Sequence, residues 1–190
     1  MKSFPKKQNK DGFSIIEVIV AVGIITVGII PIISLFTQNL NNEIKNENML
    51  IASYLANESI EIVRQKRDDN WTAGDDWMTN ITADGSKVIV GLNNTNDIRR
   101  GWEVVVPGSA NYKKVYLTDE GFYAQLDNSP PGNWKKTSFE RYLEITENSA
   151  DGTAVAGCLG ISRCVEIISY VSFNGTQTVE ITAYLYDGWK

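Results

Sequence analysis

The hydrophobic residues of this 190-residue chain are unevenly placed along its length. A run of 24 residues, from Phe13 to Phe36, contains a single ionisable side chain, that of Glu17. At about 1.5 Å per residue, a helix of this length spans roughly 36 Å, which is enough to cross a hydrocarbon core of about 30 Å. A lone segment in a membrane must be helical, because every backbone N–H and C=O needs an internal partner. Pro31 predicts a kink or local unwinding near residues 27–31.

The pattern becomes amphipathic after this run. Apolar residues recur at spacings of four and seven, with two more beside the same stripe: Leu40, Ile44, Ile51, Leu55 and Ile62, flanked by Tyr54 and Val63. This periodicity predicts that the helix continues with one apolar side turned towards a core. Basic residues within positions 64–67 suit a helix C-terminus, and the polar residues 68–70 break the pattern. One helix is therefore predicted over about residues 13–67.

After Trp71 the pattern changes to β-rich runs that are separated by turn residues. Seven runs are predicted as strands: 87–92, 102–106, 113–117, 121–126, 138–146, 165–173 and 176–186. Asn174-Gly175 separates the last two runs and suits a type I′ turn, and apolar and polar residues alternate along the final run. The chain is therefore predicted to be an α+β protein, in which a long N-terminal helix packs on an antiparallel sheet.

The distribution of charge changes at Phe13, where the apolar run begins. The residues before Phe13 carry four lysines and one aspartate, whereas the remainder carries 14 lysines and arginines against 22 aspartates and glutamates. A short basic flank before a spanning segment stays in the cytoplasm, so the acidic remainder is predicted to lie outside. An acidic surface also argues against nucleic-acid binding, because it repels the phosphate backbone.

The start of the apolar run carries a motif. A short basic leader ends in Gly12-Phe13, and "SIIE" with Glu17 follows. This arrangement resembles the prepilin signal of type IV pilins and type II secretion pseudopilins, and the layout of the whole chain resembles that family, most closely its minor, PilV-like members. The resemblance implies four segments: a cleaved basic leader over 1–12, a transmembrane and filament-core helix over 13–36, an amphipathic helix half over 37–70 and an extracytoplasmic β-rich head over 71–190.

The resemblance also implies roles for three residues. A prepilin peptidase would cleave between Gly12 and Phe13 and methylate the new amino group of Phe13. Glu17 would pair with the Phe13 amine of a neighbouring subunit as the helix enters a filament. The expected partners are the prepilin peptidase, other pilin or pseudopilin subunits and an inner-membrane assembly platform. The expected location is the cytoplasmic membrane, in a single pass, followed by an extracellular or periplasmic filament.

Other candidate chemistry is sparse. Cys158 and Cys164 could pair outside the cytoplasm, or remain two neighbouring thiols. The chain has no histidine and only these two cysteines, which removes histidine-dependent catalysis and leaves a poor basis for a zinc site. The tryptophans favour packing in the core or at its rim over a carbohydrate-binding face.

We therefore expect a structural subunit with no catalytic residues, no metal and no cofactor. The alternative is an uncleaved, single-pass, membrane-anchored binding module whose head lies outside the cytoplasm.

Overall fold

The computed structural model describes the parts of the chain that form its helix and its sheet. The described residues are 12, 14–81, 84–92, 102–105, 113–126, 130, 132–147, 158 and 163–187. The chain divides into two compact units between Asn46 and Glu47. The first unit contains the beginning of the helix, and the second contains the rest of the helix and the whole sheet.

One helix, α1, extends from Ile15 to Ala73. It is continuous through Pro31, so the local unwinding predicted near residues 27–31 does not occur. Within the second unit the predicted apolar stripe packs on the sheet, where Leu55 and other residues of α1 are buried. Leu40 and Ile44, which belong to the first unit, are exposed.

The helix ends later than its sequence pattern predicts, because residues Asp68–Asn70 are helical rather than a break. Gly74 terminates α1 with a φ of +79°. Its N–H donates to the carbonyl of Trp71 at 3.1 Å, and the N–H of Asp75 donates to the carbonyl of Asn70 at 2.9 Å. This pair of bonds is the Schellman arrangement, which favours glycine because a residue without a Cβ adopts positive φ easily.

Within the described ranges, seven antiparallel strands form the sheet. They are β1 (Asp84–Leu92), β2 (Trp102–Val105), β3 (Lys114–Leu117), β4 (Tyr123–Ala124), β5 (Lys135–Glu147), β6 (Cys164–Phe173) and β7 (Gln177–Tyr186). β5 is central: β6 pairs with one of its edges, while β3 and β1 pair with the first and second halves of the other. β2 extends the sheet beyond β1, β4 beyond β3, and β7 beyond β6. Each predicted run overlaps one of these strands: β2, β3, β4 and β7 lie within their runs, whereas β1, β5 and β6 begin one to three residues earlier. The predicted α+β fold is confirmed.

The hairpin between β6 and β7 has the turn residues that its sequence predicts. Asn174 and Gly175 have φ values of +52° and +71°, the sign that a type I′ turn requires at both central positions. The ladder closes at Phe173 and Gln177, however, so three residues rather than two separate the paired positions. Along β7 the exposed fraction alternates, with one side turned to the core and one to solvent, as predicted.

The described part of the hydrophobic core has two clusters that α1 and the sheet share, and a third, smaller one formed by Ala124 and Leu126. The first contains Ile60, Ile62, Val63, Trp77, Ile81, Val88, Val90, Leu143, Ile145, Val165, Ile167 and Leu185. The second contains Ala52, Leu55, Ala56, Val115, Phe139, Val171 and Phe173. Trp77 is buried, and Trp71 and Trp134 are partly buried, as core or rim packing predicts. The side chain of Trp102 and the whole of Trp189 lie outside the described residues.

Polar contacts also join α1 to the sheet. The hydroxyls of Ser59 and Ser169 are hydrogen-bonded to each other at 2.8 Å in the core. Arg141 of β5 is fully buried, and its guanidinium donates to Glu58 Oε2 at 2.7 Å, to the carbonyl of Leu55 at 3.1 Å and to Gln125 Oε1 at 2.7 Å. Burial lowers the pKa of Arg141, and the attraction of Glu58 opposes this change.

A second polar cluster connects the turn after α1 with the end of β7. Arg163 donates to Asp76 at 2.5 Å and to Asp187 at 3.4 Å. The hydrogen bond with Arg163 holds the pKa of Asp76 below its ordinary value. Beside this cluster a disulfide joins Cys158 to Cys164, with 5.7 Å between their Cα atoms and both side chains buried.

Candidate site at the start of the helix

The residues that the motif singles out lie just before α1 and in its first turn. Gly12 is exposed, and the position that a Cβ would occupy there has open space around it. A residue without a side chain in such surroundings allows a protease to approach the backbone closely. Phe13, on the other side of the predicted cleavage point, lies outside the described residues.

Glu17 is the third residue of α1. The carbonyl oxygen of Ser14 accepts hydrogen bonds from the N–H groups of Glu17 and Val18 at 3.0 and 3.2 Å, which places Ser14 at the N-cap. The helix dipole favours a carboxylate in the first turn by about 0.3–1 kcal/mol at an exposed site. The order Ser-x-x-Glu is also that of a capping box, a sequence signal for the helix start that the motif-based prediction did not use. Glu17 therefore stabilises its own helix end without any partner.

The surface that follows Glu17 is apolar on every side of the helix. Each large apolar side chain from Ile15 to Phe36 exposes 47–80% of its area. Burying one such side chain is worth about 1.5–3 kcal/mol, so this surface is unfavourable in water. The helix is long and apolar enough to cross a membrane. The predicted spanning segment is therefore confirmed in its helical structure, its length and its apolar composition.

The polar side chains within this surface differ in how they are satisfied. The hydroxyls of Thr26 and Ser34 donate to helix carbonyls, those of Gly23 and Ile30, at 2.9 and 3.1 Å. They need no partner from outside the helix. The carboxylate of Glu17, in contrast, has no side-chain hydrogen bond or ion pair to any residue that the structure describes. A carboxylate within hydrocarbon persists mainly where it has a partner, and Glu17 is the single ionisable group between Phe13 and Phe36.

The structure also contains candidate binding residues that the sequence patterns missed. Tyr54 was expected beside the core-facing stripe, but 66% of its area is exposed. It lines a groove together with Glu58, which binds the buried Arg141. Arg141 could have been noticed from sequence, because its position in β5 has the same parity as the buried Phe139 and Leu143. In the described parts of the chain, no three His, Cys, Asp or Glu side chains are grouped closely enough to hold a metal ion.

Comparison of the chain with protein-family models, with curated proteins and with solved structures finds no match.

Proposed function

We propose that this chain is a minor pilin or pseudopilin, a structural subunit of a type IV pilus or of a type II secretion-like filament, and not an enzyme. The helix α1 first anchors the chain in the cytoplasmic membrane, with the acidic head outside. A prepilin peptidase cleaves between Gly12 and Phe13 and methylates the Phe13 amine. An inner-membrane assembly platform then moves the helix into a filament of other pilin or pseudopilin subunits, which is periplasmic or extracellular.

The observation that carries this proposal is the combination of an exposed apolar helix with one unpartnered carboxylate in its first turn. A lipid bilayer would cover the apolar surface but would offer no fixed cation to Glu17. A bundle of cleaved subunits supplies both, because each neighbour contributes an apolar helix and a terminal amine. A buried polar pair of this kind fixes the register between helices, as single polar residues do in coiled coils.

Intact-mass measurement of the membrane-bound chain, with and without a co-expressed prepilin peptidase, tests the processing step. With the peptidase we expect a chain that begins at Phe13 and carries one methyl group. Gly12→Leu should block cleavage, because the added side chain hinders the approach to the backbone. Gly23→Leu is the matched control, since its Cβ position is equally open but lies inside the helix. A wild-type chain that still begins at Met1 would favour the membrane-anchored binding module instead.

A second experiment tests the assembly role of Glu17. In Glu17→Gln the side chain keeps its shape but loses its charge, so cleavage should persist while incorporation into sheared filaments falls by about tenfold or more. Thr26→Val is the control, because the Thr26 hydroxyl is satisfied within its own helix. Incorporation is measured as the ratio of chain in the filament fraction to chain in the membrane. An unchanged ratio in Glu17→Gln would remove the pairing role.

A further inference from the structure

The second unit contains a groove between α1 and the turn that precedes β4. We call it the aromatic groove, and its volume is about 520 Å³. Its lining residues are Ile51, Tyr54, Leu55, Glu58, Gly121, Phe122 and Tyr123. Small-molecule sites usually have volumes of about 300–1,000 Å³ and combine apolar walls with a few polar groups. The aromatic groove has both properties.

Two of its aromatic side chains are unusually exposed for their size. Tyr54 exposes 66% of its area and Phe122 exposes 58%. Phe122 is held out by a hydrogen-bonded turn: the N–H of Thr118 donates to the Phe122 carbonyl at 2.8 Å, and the Phe122 N–H donates to the Thr118 hydroxyl at 3.2 Å. Gly121 completes the turn with a φ of +86°. The turn therefore fixes the backbone that carries Phe122, which lowers the entropy cost of binding a ligand there.

The third ring, that of Tyr123, packs against a buried ring of the core. It makes an edge-to-face contact with the buried Phe139, with 6.1 Å between the ring centroids and an interplanar angle of 86°. Tyr123 also belongs to the short ladder between β3 and β4, where it pairs with Leu117. Its backbone and its ring are thus both fixed by the folded sheet.

Among the residues that the structure describes, Glu58 is the only carboxylate or basic group that lines the groove. Its side chain is 39% exposed, whereas that of its partner Arg141 is 0% exposed. A ligand in the groove therefore meets the carboxylate and not the guanidinium. Oε2 accepts the bond from Arg141, and Oε1 takes no hydrogen bond from any residue within the described ranges. The exposed Asp119 and Glu120 precede Gly121 in the same turn and add negative charge nearby.

We propose that the aromatic groove binds a choline-type cation, a small molecule with a trimethylammonium group and no anionic group. The faces of aromatic rings attract such a cation, and each well-placed ring strengthens binding by roughly two- to thirtyfold. A trimethylammonium group has no N–H donors, so it loses few hydrogen bonds when it leaves water. A primary ammonium would lose three, and the groove offers one free carboxylate oxygen in return. This site does not depend on cleavage at Gly12.

Isothermal titration calorimetry of the full chain in uncharged micelles tests the proposal directly. Choline should bind at least about tenfold more tightly than its neutral carbon isostere, in which a tert-butyl group replaces the trimethylammonium group. Phosphocholine should bind more weakly than choline, because its phosphate would approach the carboxylates of the groove. Equal binding of choline and the isostere, no binding of choline, or tighter binding of phosphocholine would each overturn the proposal.

Substitutions at exposed positions then locate the site. Phe122→Leu keeps an apolar side chain but removes the ring, so it should weaken choline binding by about fivefold and leave isostere binding nearly unchanged. Tyr54→Leu should act in the same way, and Phe122→Tyr should retain choline binding. The control is Tyr186→Leu, which removes an exposed ring of β7 outside the groove. If Phe122→Leu and Tyr54→Leu both bind choline as the unaltered chain does, the groove is not the site.

Discussion

The ion pair between Glu58 and Arg141 should make a measurable contribution to the stability of the second unit. Glu58→Ala would leave a fully buried guanidinium with the carbonyls of Leu55 and Val90 and with Gln125, but no counter-charge. Removing one partner of a wholly buried pair costs about 3–5 kcal/mol. Glu58 is 39% exposed, so water replaces part of its contribution. We therefore expect a loss of about 2–3 kcal/mol, which is below the range for a wholly buried pair.

Thermal unfolding of the full chain in micelles, followed by circular dichroism, measures this loss. For a chain of this size a destabilisation of 1 kcal/mol lowers Tm by about 2–4 °C, so Glu58→Ala should lower it by roughly 4–12 °C. Glu61→Ala is the matched control, because Glu61 lies on the same helix and pairs with Arg64 at 2.5 Å. Both side chains of that pair are exposed, so its loss should change Tm by no more than about 2–4 °C.

A double-mutant cycle gives the result that would refute the reasoning. Once Arg141→Met has removed the guanidinium, the further change Glu58→Ala should cost at least about 1 kcal/mol less than it does in the unaltered chain. If Glu58→Ala alone lowers Tm no more than Glu61→Ala does, the guanidinium finds adequate partners without a carboxylate. The account of Arg141 as a buried charge that depends on Glu58 would then be wrong.

Three smaller changes have predictable outcomes. Reducing the Cys158–Cys164 disulfide opens a short loop and should destabilise the fold by about 2 kcal/mol, seen as a lower Tm in reductant. Gly175→Ala forces a side chain into a backbone with a φ of +71° and should lower the free energy of unfolding by about 1 kcal/mol, measured by the same melting experiment. The pKa of Asp76 lies below its ordinary value of 3.8 in the folded chain, mainly through Arg163. Its stabilisation is therefore complete above this value and is lost as pH falls through the lowered pKa, so Asp76→Asn should lower Tm slightly at pH 7 and reduce the decline of Tm in acid.

The helix and the strands could be predicted because their signals are local. The run from Phe13 to Phe36 has no polar face, which by itself predicts a membrane-spanning helix. The alternation along β7 distinguishes its two faces without any knowledge of the partner strand. Asn174-Gly175 marks a chain reversal because both residues adopt positive φ. The extra residue in this hairpin depends on the register of the whole β6–β7 ladder, which a dipeptide does not encode.

The end of the helix shows how a local signal can mislead. Residues 68–70 are polar, and polarity alone suggests a break. In the structure Asn70 is buried, and its side-chain amide donates to the carbonyls of Trp77 and Thr79 at 3.0 and 2.8 Å. Both carbonyls belong to the turn after the helix, so these bonds allow the polar Asn70 to be buried within the last turns of α1. The true stop signal was Gly74, which ends the helix through its positive φ.

The ion pair and the aromatic groove depend on contacts between distant parts of the chain. Arg141 and Glu58 are 83 residues apart, so even a correct reading of Arg141 as inward-facing would not have named its partner. Helical periodicity likewise placed Tyr54 beside the apolar stripe, but it could not predict that the core ends before this side chain and leaves it exposed. The turn that carries Phe122 reaches that side of α1 and leaves a groove rather than a filled contact. Such features become visible only after the sheet is assembled.

Under the proposed function, Glu17 would have two physical effects, one in the membrane and one in the filament. In the single chain the helix dipole favours its carboxylate by about 0.3–1 kcal/mol. A carboxylate at mid-membrane costs about 2.5–3.5 kcal/mol, and the cost falls towards the interface, so the dipole offsets much of it in the first turn. An anchor alone therefore gains nothing from Glu17, and Glu17→Gln should leave membrane retention equal or improved. Only a cation brought by another molecule makes the charge favourable, so the same substitution should impair incorporation into a filament. Opposite responses in the membrane and filament fractions would distinguish a subunit from a simple anchor.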